Sequence, residues 1–192
     1  MKKLVLMMGG QGSGKGTLSK KLLAENPNFT YIETGAMLRA LPENSPLRAI
    51  IERGEMVPDD EVCKLLESKI IAAGDVLLDG FPRKVSQAQW LVEKFGDKFD
   101  TIAVYLNLPE SLMLKRIQNR IAEGGGRADD ANAVAVRRRL DTFKQETMPA
   151  INWLRSVKNV RFLEIPIADA PIDVNYKTLK SALVANKVVN YR

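Results

Sequence analysis

Residues 9–17 read GGQGSGKGT and directly follow the apolar run LVLMM of residues 4–8. An amphipathic stretch over residues 17–23 comes next, so the order is a predicted strand, a glycine-rich loop and a predicted helix. Glycines let successive backbone N–H groups turn toward one phosphate, and the N-terminal end of a helix attracts anions. The alternative is a flexible turn with a chance lysine, which would not require the flanking strand and helix. The stretch therefore predicts a phosphate-binding loop in which Lys15 is the cation.

The composition limits the class of protein and its chemistry. The chain has 192 residues, 45% of them apolar and 27% charged, as expected for one globular domain over residues 1–192. Histidine is absent, which excludes histidine acid–base chemistry and histidine metal sites, and the single Cys63 excludes an internal disulfide. No apolar run approaches the roughly 20 residues of a membrane span, so we expect no membrane association. The start MKK leads straight into a predicted strand, so we expect no export signal and a cytoplasmic location.

Six arginines lie within a window of 24 residues and account for much of the net charge of +6. Such a cluster suits either a nucleic-acid surface or a small polyanion. Aromatic residues make up only 6% of the chain, and no RRM, KH or zinc-finger pattern is found. We therefore expect a small polyanionic ligand and no nucleic acid. The six are Arg116, Arg120, Arg127, Arg137, Arg138 and Arg139.

Short apolar runs alternate with helical patterns along the whole chain. Predicted strands cover residues 4–8, 29–32, 76–78, 101–106 and 160–165. This alternation indicates an α/β fold with a parallel sheet and helices on both faces, in which ligands bind at the carboxyl ends of the strands. Together with the phosphate loop it predicts a three-layer, five-stranded fold of the P-loop NTPase type.

Two segments interrupt the alternation. Residues 34–58 contain three prolines and Gly54, a composition that predicts a small helical flap. Residues 121–130 contain a glycine triplet followed by RADD, between two helical patterns. A glycine-rich connection with arginines on both sides predicts a short mobile lid rather than an ordinary surface loop.

Four motifs, in this order along the chain, resemble those of nucleoside monophosphate kinases, specifically adenylate kinases with a short lid. They are GGQGSGKGT at 9–17, TGAMLR at 34–39, DGFPR at 79–83, and GRADD at 126–130 followed by Arg139-Leu140. The resemblance extends from residue 3 to about residue 185. A glycine directly after the loop lysine, where other P-loops have Ser or Thr, also fits this group.

The resemblance implies transfer of the γ-phosphoryl group of ATP–Mg²⁺ to AMP, giving two ADP, by a monomer. Lys15 would follow the transferred group, and Arg116 would lie against the ATP adenine. Such a reaction needs positioning and charge neutralisation, which lysine and arginine supply without histidine. The implied catalytic residues are Lys15, Arg83, Arg120, Arg127 and Arg139. The implied ATP-binding residues are Gly12, Ser13, Gly14, Lys15, Gly16, Thr17, Arg116 and Arg120. The implied AMP-binding residues are Thr34, Gly35, Arg39, Met56, Val57, Gly80, Arg83, Gln87, Arg127 and Arg139. Asp79 would contact Mg²⁺ through water.

Two positions bear on the acceptor, and several departures leave alternatives open. In the resembling family, Thr at the position of Thr34 and Gln at the position of Gln87 are found in kinases whose acceptor is AMP. A glutamine amide, with one donor and one acceptor end, matches an adenine edge. The family's aspartate after Thr-Gly is replaced by Ala36, its loop proline by Gln11, and residues 168–171 lack the expected glycine. A kinase for UMP, CMP or another monophosphate therefore remains an alternative. So does a nucleotide-binding regulatory protein that has lost turnover.

Overall fold

A computed structural model describes residues 1–52, 57–123 and 133–190. Its centre is a sheet of five parallel strands in the order β2-β3-β1-β4-β5. The strands are β1 (Lys2–Gly9), β2 (Phe29–Glu33), β3 (Asp75–Asp79), β4 (Phe99–Asn107) and β5 (Val160–Pro166).

Helices follow the strands and cross over from each to the next. The helices of the described chain are α1 (Lys15–Glu25), α2 (Thr34–Arg39), α3 (Pro46–Glu52), α4 (Asp59–Ala72), α5 (Val85–Phe95), α6 (Glu110–Ala122), α7 (Ala133–Thr142), α8 (Met148–Ser156) and α9 (Ile172–Ala185). A π-helical segment, Phe143–Thr147, joins α7 to α8.

The sheet is buried on both faces because β1 and β4 are almost continuously apolar. One face packs against α4, α5 and α8, with Leu66, Leu91 and Leu154 fully buried. The other face packs against α1, α6 and α9 and includes Leu18 and Leu179. These two layers of helices enclose the sheet and bring the carboxyl ends of its strands to one edge.

The predicted fold class is confirmed, and each predicted strand is present and is longer than predicted at one or both ends. The stretch predicted as a flap is helical where it is described, in α2 and α3, while residues 53–56 lie outside the described part. Within the stretch predicted as a lid, residues 121 and 122 end α6, and residues 124–130 lie outside the described part. The roles of flap and lid stay predictions. None of the described helices is both long and apolar enough to cross a membrane.

Three aromatic rings pack against one another between α5 and the start of β4. Phe95 is fully buried and packs edge-to-face against Trp90 at 5.6 Å and Phe99 at 5.9 Å between ring centroids. Replacing Phe95 by alanine should lower the free energy of unfolding by about 3–5 kcal/mol, because it leaves a cavity and removes both ring contacts. Val174→Ala, at a side chain 49% exposed, is the control and should change it by less than about 0.5 kcal/mol. Urea unfolding measures both, and similar losses would contradict this account of the core.

Candidate active site

The glycine-rich loop turns sharply between β1 and α1. Gly12 and Gly14 have φ angles of 72° and 85°, in the left-handed region that favours glycine. Ser13 closes the turn, because its hydroxyl donates a hydrogen bond to the Gly10 carbonyl at 2.8 Å. Helix α1 then begins at Lys15 without a side-chain cap. The first N–H groups of α1 are therefore left for an anion at the loop.

Lys15 lies across this loop. Its ammonium group donates hydrogen bonds to the carbonyl oxygens of Gly9 at 2.6 Å and Gly10 at 3.0 Å. Because both acceptors belong to the loop backbone, the positive charge is held at the loop rather than extended into solvent. The arrangement brings together a helix N-terminus and a cation, which favours a phosphate group at this position.

Asp79 ends β3 next to the loop, at the register position opposite Met7 of β1 and Glu33 of β2. Its side chain is only 5% exposed. The Tyr31 hydroxyl donates a hydrogen bond to Asp79 Oδ2 at 3.0 Å. Burial raises the pKa of Asp79, while the Lys15 charge and the Tyr31 hydrogen bond act in the opposite direction. Asp79 is thus a buried carboxyl group, bound by Tyr31 and close to the Lys15 charge, beside the candidate phosphate position.

The side chains beside the loop suit a metal ion that takes most of its ligands from phosphates and water. In the described residues no group of three or more acidic or cysteine side chains could hold a metal ion. A single carboxylate beside a phosphate loop matches Mg²⁺, which retains several waters and takes its remaining oxygens from phosphates. The residues present therefore fit magnesium carried in with a nucleotide.

Arg83 follows Asp79 by four residues and extends from a tight turn. Gly80 has a φ of 82°, and the Phe81–Pro82 peptide bond is cis. The Arg83 Nε donates to the Gly80 carbonyl at 2.8 Å, and the guanidinium is exposed. The charges of Arg83 and Lys15 both favour ionisation of Asp79, so the three groups share one local field. The predicted Gly80–Arg83 element and the loop therefore meet at the same edge of the sheet.

Gln87 is 3% exposed, and both ends of its amide are hydrogen bonded. Its Oε1 accepts from the backbone N–H of Arg83 at 2.8 Å, and its Nε2 donates to Asp59 Oδ1 at 2.9 Å. The side chain therefore reaches back to the residue that precedes the N-cap of α5, Lys84. Its predicted contact with an acceptor base stays a prediction.

Thr34 and Arg39 lie on α2, beside β2. The Thr34 side chain is 4% exposed, and its hydroxyl oxygen has no hydrogen-bond partner among the described residues. Arg39 folds back over the start of its helix, where its guanidinium lies 3.2 Å from Glu33 Oε1. Gly35 allows this approach, since a Cβ there would lie 3.0 Å from Arg39 Nη1.

On the opposite side of the loop, Arg116 joins two segments. It donates to the Gly12 carbonyl at 3.0 Å and to the Ala168 carbonyl at 2.6 Å. A cavity of about 310 Å³ opens beside it. Buried Asn175 shapes the far wall, because its amide accepts from Ala168 N–H at 2.9 Å and donates to the carbonyls of Ala168 and Ala170. Arg116, which is predicted to contact the adenine of ATP, thus borders a cavity and also contacts the phosphate loop.

The remaining arginines of the cluster differ in exposure. Arg120 on α6 and Arg139 on α7 are partly buried, whereas Arg137 and Arg138 are exposed. Arg137 also pairs with Asp141 at 3.6 Å. Val57 is 5% exposed, at the end of the stretch predicted as a flap. The predicted site residues Met56 and Arg127 lie outside the described part of the chain.

Sequence reasoning missed two residues that contact the predicted site, Tyr31 and Asp59. Tyr31 carried no distinctive signal, because Thr30 and Glu33 of the same strand are also polar. Asp59 carried none either, because its partner Gln87 is 28 residues away.

The sheet order, the loop and the neighbouring cations define a nucleotide-binding protein of the P-loop class. A model of the adenylate kinase family matches residues 7–159. The chain is 34% identical to UMP-CMP kinase 2 of Caenorhabditis elegans, over 97% of this chain and all of that protein. It is 37% identical to an adenylate kinase of Parvibaculum lavamentivorans over 83% of both chains. It is 33% identical to adenylate kinase isoenzyme 1 of Gallus gallus over 94% of both chains. The chain belongs to the adenylate kinase family and is a phosphotransferase.

The contact between Tyr31 and Asp79 gives a measurable consequence. Tyr31→Phe removes a hydroxyl that stabilises the charged carboxylate, so the pKa of Asp79 should rise further above its usual value. NMR titration of the Asp79 carboxyl carbon measures this shift. Tyr105→Phe is the matched control, since that hydroxyl lies 3.4 Å from Asn107 Oδ1. An unchanged Asp79 pKa in Tyr31→Phe would show that the hydrogen bond has no influence on its ionisation.

Proposed function

We propose that the protein transfers the γ-phosphoryl group of ATP–Mg²⁺ to AMP and forms two ADP. The observation that carries this proposal is the meeting, at one sheet edge, of the loop with Lys15, the buried Asp79 and the exposed Arg83. Two adenylate kinases at 33% and 37% identity over most of the chain support the same reaction.

In this proposal the loop and Lys15 hold the phosphates of the donor. The uncapped N–H groups of α1 donate hydrogen bonds to the phosphate oxygens, and the Lys15 ammonium exchanges the carbonyls of Gly9 and Gly10 for the transferred phosphoryl group. Arg116 and the cavity beside it receive the adenine of ATP. The residues proposed to bind ATP are Gly12, Ser13, Gly14, Lys15, Gly16, Thr17, Arg116 and Arg120.

Magnesium bound with ATP supplies positive charge that offsets the charge developing between the phosphates. Asp79 would hold a water of that ion through a charge-assisted hydrogen bond. Its Oδ2 is held by Tyr31, which keeps the carboxylate in one orientation at the end of β3. Lys15 and Arg83 favour the ionised form of Asp79 against the cost of burial.

The acceptor monophosphate is proposed to lie between α2 and the Gly80–Arg83 turn. Arg83 and Arg39 would bind its phosphate, because a planar guanidinium can contact two phosphate oxygens at once. The buried Thr34 hydroxyl has no hydrogen-bond partner in the described part of the chain. This supports a polar ligand at this position, since a buried hydroxyl without a partner costs free energy. Gly35, Met56, Val57, Gly80 and Gln87 complete the proposed acceptor site.

We also propose that residues 34–58 and residues 121–130 move during the cycle, the first over the acceptor and the second over the polyphosphate. Closure would bring Arg127, Arg120 and Arg139 onto the transferred group and exclude water from it. We assign Arg120 and Arg139 to the polyphosphate, and Arg137 and Arg138 to solvent. The first two are partly buried and the last two are exposed, which supports this division of the arginine cluster.

The identity of the acceptor is tested by turnover with ATP–Mg²⁺ and each of AMP, UMP, CMP and GMP. AMP should be the best acceptor, because Thr34 and Gln87 are the residues found at these two positions in family members that use AMP. UMP and CMP form the second candidate class, favoured by the 34% identity to a UMP-CMP kinase over nearly the whole chain. Equal or better turnover with UMP or CMP would establish that second class. No turnover with any acceptor would favour a regulatory nucleotide-binding protein.

The division of the arginines is tested by alanine substitution. Arg83→Ala or Arg120→Ala should lower kcat by on the order of 10³-fold, because each removes a guanidinium that neutralises charge in the transition state. Arg138→Ala is the matched control from the same cluster and should leave kcat within about twofold, since its side chain faces solvent. Steady-state kinetics with saturating ATP and AMP measure all three. Comparable losses for Arg138→Ala and Arg120→Ala would contradict the assignment.

A further inference from the structure

Asp59 is the first residue of α4 and directly follows the stretch predicted as a flap. Three groups from the start of α5 converge on its carboxylate. Ser86 donates its hydroxyl to Oδ2 at 2.5 Å, Gln87 donates Nε2 to Oδ1 at 2.9 Å, and the Lys84 ammonium lies 3.3 Å from Oδ1. Although burial opposes its ionisation, the hydrogen bonds from Ser86 and Gln87 hold the pKa of Asp59 below its usual value.

The carboxylate determines which way the buried Gln87 amide is oriented. A carboxylate accepts hydrogen bonds and cannot donate them, so it selects the nitrogen of the amide. The amide oxygen is then directed at the backbone N–H of Arg83, which it accepts at 2.8 Å. A reversed amide would place oxygen against carboxylate and nitrogen against the Arg83 N–H. Both contacts would be repulsive in a side chain that is only 3% exposed.

Arg83 is in turn held from several directions. Gln87 binds its backbone N–H, Thr147 donates a hydroxyl to its carbonyl at 3.1 Å, and its own Nε is bound to the Gly80 carbonyl at 2.8 Å. Of these contacts, only the one through Gln87 continues to α4. The hydrogen bonds therefore form a chain from the end of residues 34–58, through Asp59 and Gln87, to the backbone of Arg83.

We propose that Asp59 is a positioning residue for Arg83: it fixes the Gln87 amide so that Gln87 holds the Arg83 backbone where the acceptor phosphate binds. This inference rests on the proposed function, because Arg83 matters only if it holds a monophosphate. It gives Asp59 a role beyond the packing of α4 on α5. It also connects the end of the proposed acceptor flap to the arginine that meets the same substrate.

An exchange of charge between the two positions tests the proposal. In Gln87→Glu one carboxylate oxygen can still accept from Arg83 N–H, but the other faces Asp59, so the KM for AMP should rise by about tenfold. Adding Asp59→Asn supplies an amide nitrogen opposite the new carboxylate. The double variant should therefore have a KM for AMP several-fold lower than that of Gln87→Glu alone. The KM for ATP should stay unchanged throughout.

Ser86→Ala is the matched control, since Ser86 contacts Asp59 but not the Gln87 amide. It should leave the KM for AMP unchanged. Thermal unfolding of each variant separates a loss of stability, which would not distinguish AMP from ATP, from a loss of positioning. If Gln87→Glu does not fold, Asp59→Ala should raise the KM for AMP. Asp59→Asn, which keeps an oxygen for Gln87, should not.

Equal KM values for AMP in Gln87→Glu and in the double variant would overturn the proposal. That result is expected if the Gln87 amide acts by donating to the acceptor base, because a carboxylate cannot donate in either variant. It would leave the proposed reaction intact. The proposed function fails separately, when the wild-type enzyme does not use AMP. An equal rise in the KM for ATP and for AMP would also overturn the proposal, since it would indicate a general loosening of the fold.

Discussion

The site depends on the parallel pairing of β1 with β3. The register sets Met7 opposite Asp79, so the glycine-rich loop that follows β1 and the turn that follows β3 leave the sheet side by side. Two chain segments more than 60 residues apart in sequence thereby place a cation, Lys15, and a carboxylate, Asp79, in one local field. A shift of one residue in this pairing would turn Asp79 to the other face of the sheet. The apolar centres of both strands are buried on both faces of the sheet, which stabilises the pairing of β1 with β3.

Three cations, Lys15, Arg83 and Arg116, lie beside the loop and the turn that follow β1 and β3. Asp79 is buried and Glu33 is paired with Arg39, so the carboxylates of β2 and β3 are already committed to neighbouring groups. The cations also donate hydrogen bonds to backbone carbonyls: Lys15 to Gly9 and Gly10, Arg83 to Gly80, and Arg116 to Gly12 and Ala168. These contacts orient each cation before a polyphosphate binds. Such preorganisation is the condition for electrostatic stabilisation of a transferred phosphoryl group.

The sequence predicted those parts of the molecule that are coded locally. The strands are contiguous apolar runs, and the loop is a contiguous set of glycines before a helix, so pattern and spacing were enough to predict the fold and the position of Lys15. The contacts of Tyr31 with Asp79 and of Asp59 with Gln87 could not be predicted, because they depend on which strands and helices become neighbours. Gln87 shows the difference most clearly. The sequence suggested that both ends of its amide could bind an adenine base. In the fold each end is hydrogen bonded to another residue of the protein.

Ala36, which replaces the family's aspartate, shares a cavity with two side chains that influence the ionisation of Asp79. Ala36 is exposed and borders a cavity of about 640 Å³ beside β2, together with Tyr31 and Glu33. Glu33 is a carboxylate at the register position opposite Asp79, and its charge raises the pKa of Asp79 although it also pairs with Arg39. Tyr31 contributes a hydroxyl, which binds Asp79 as a donor and lowers the cost of its charge. Burial and Glu33 thus oppose the ionisation of Asp79, while Lys15, Tyr31 and Arg83 favour it.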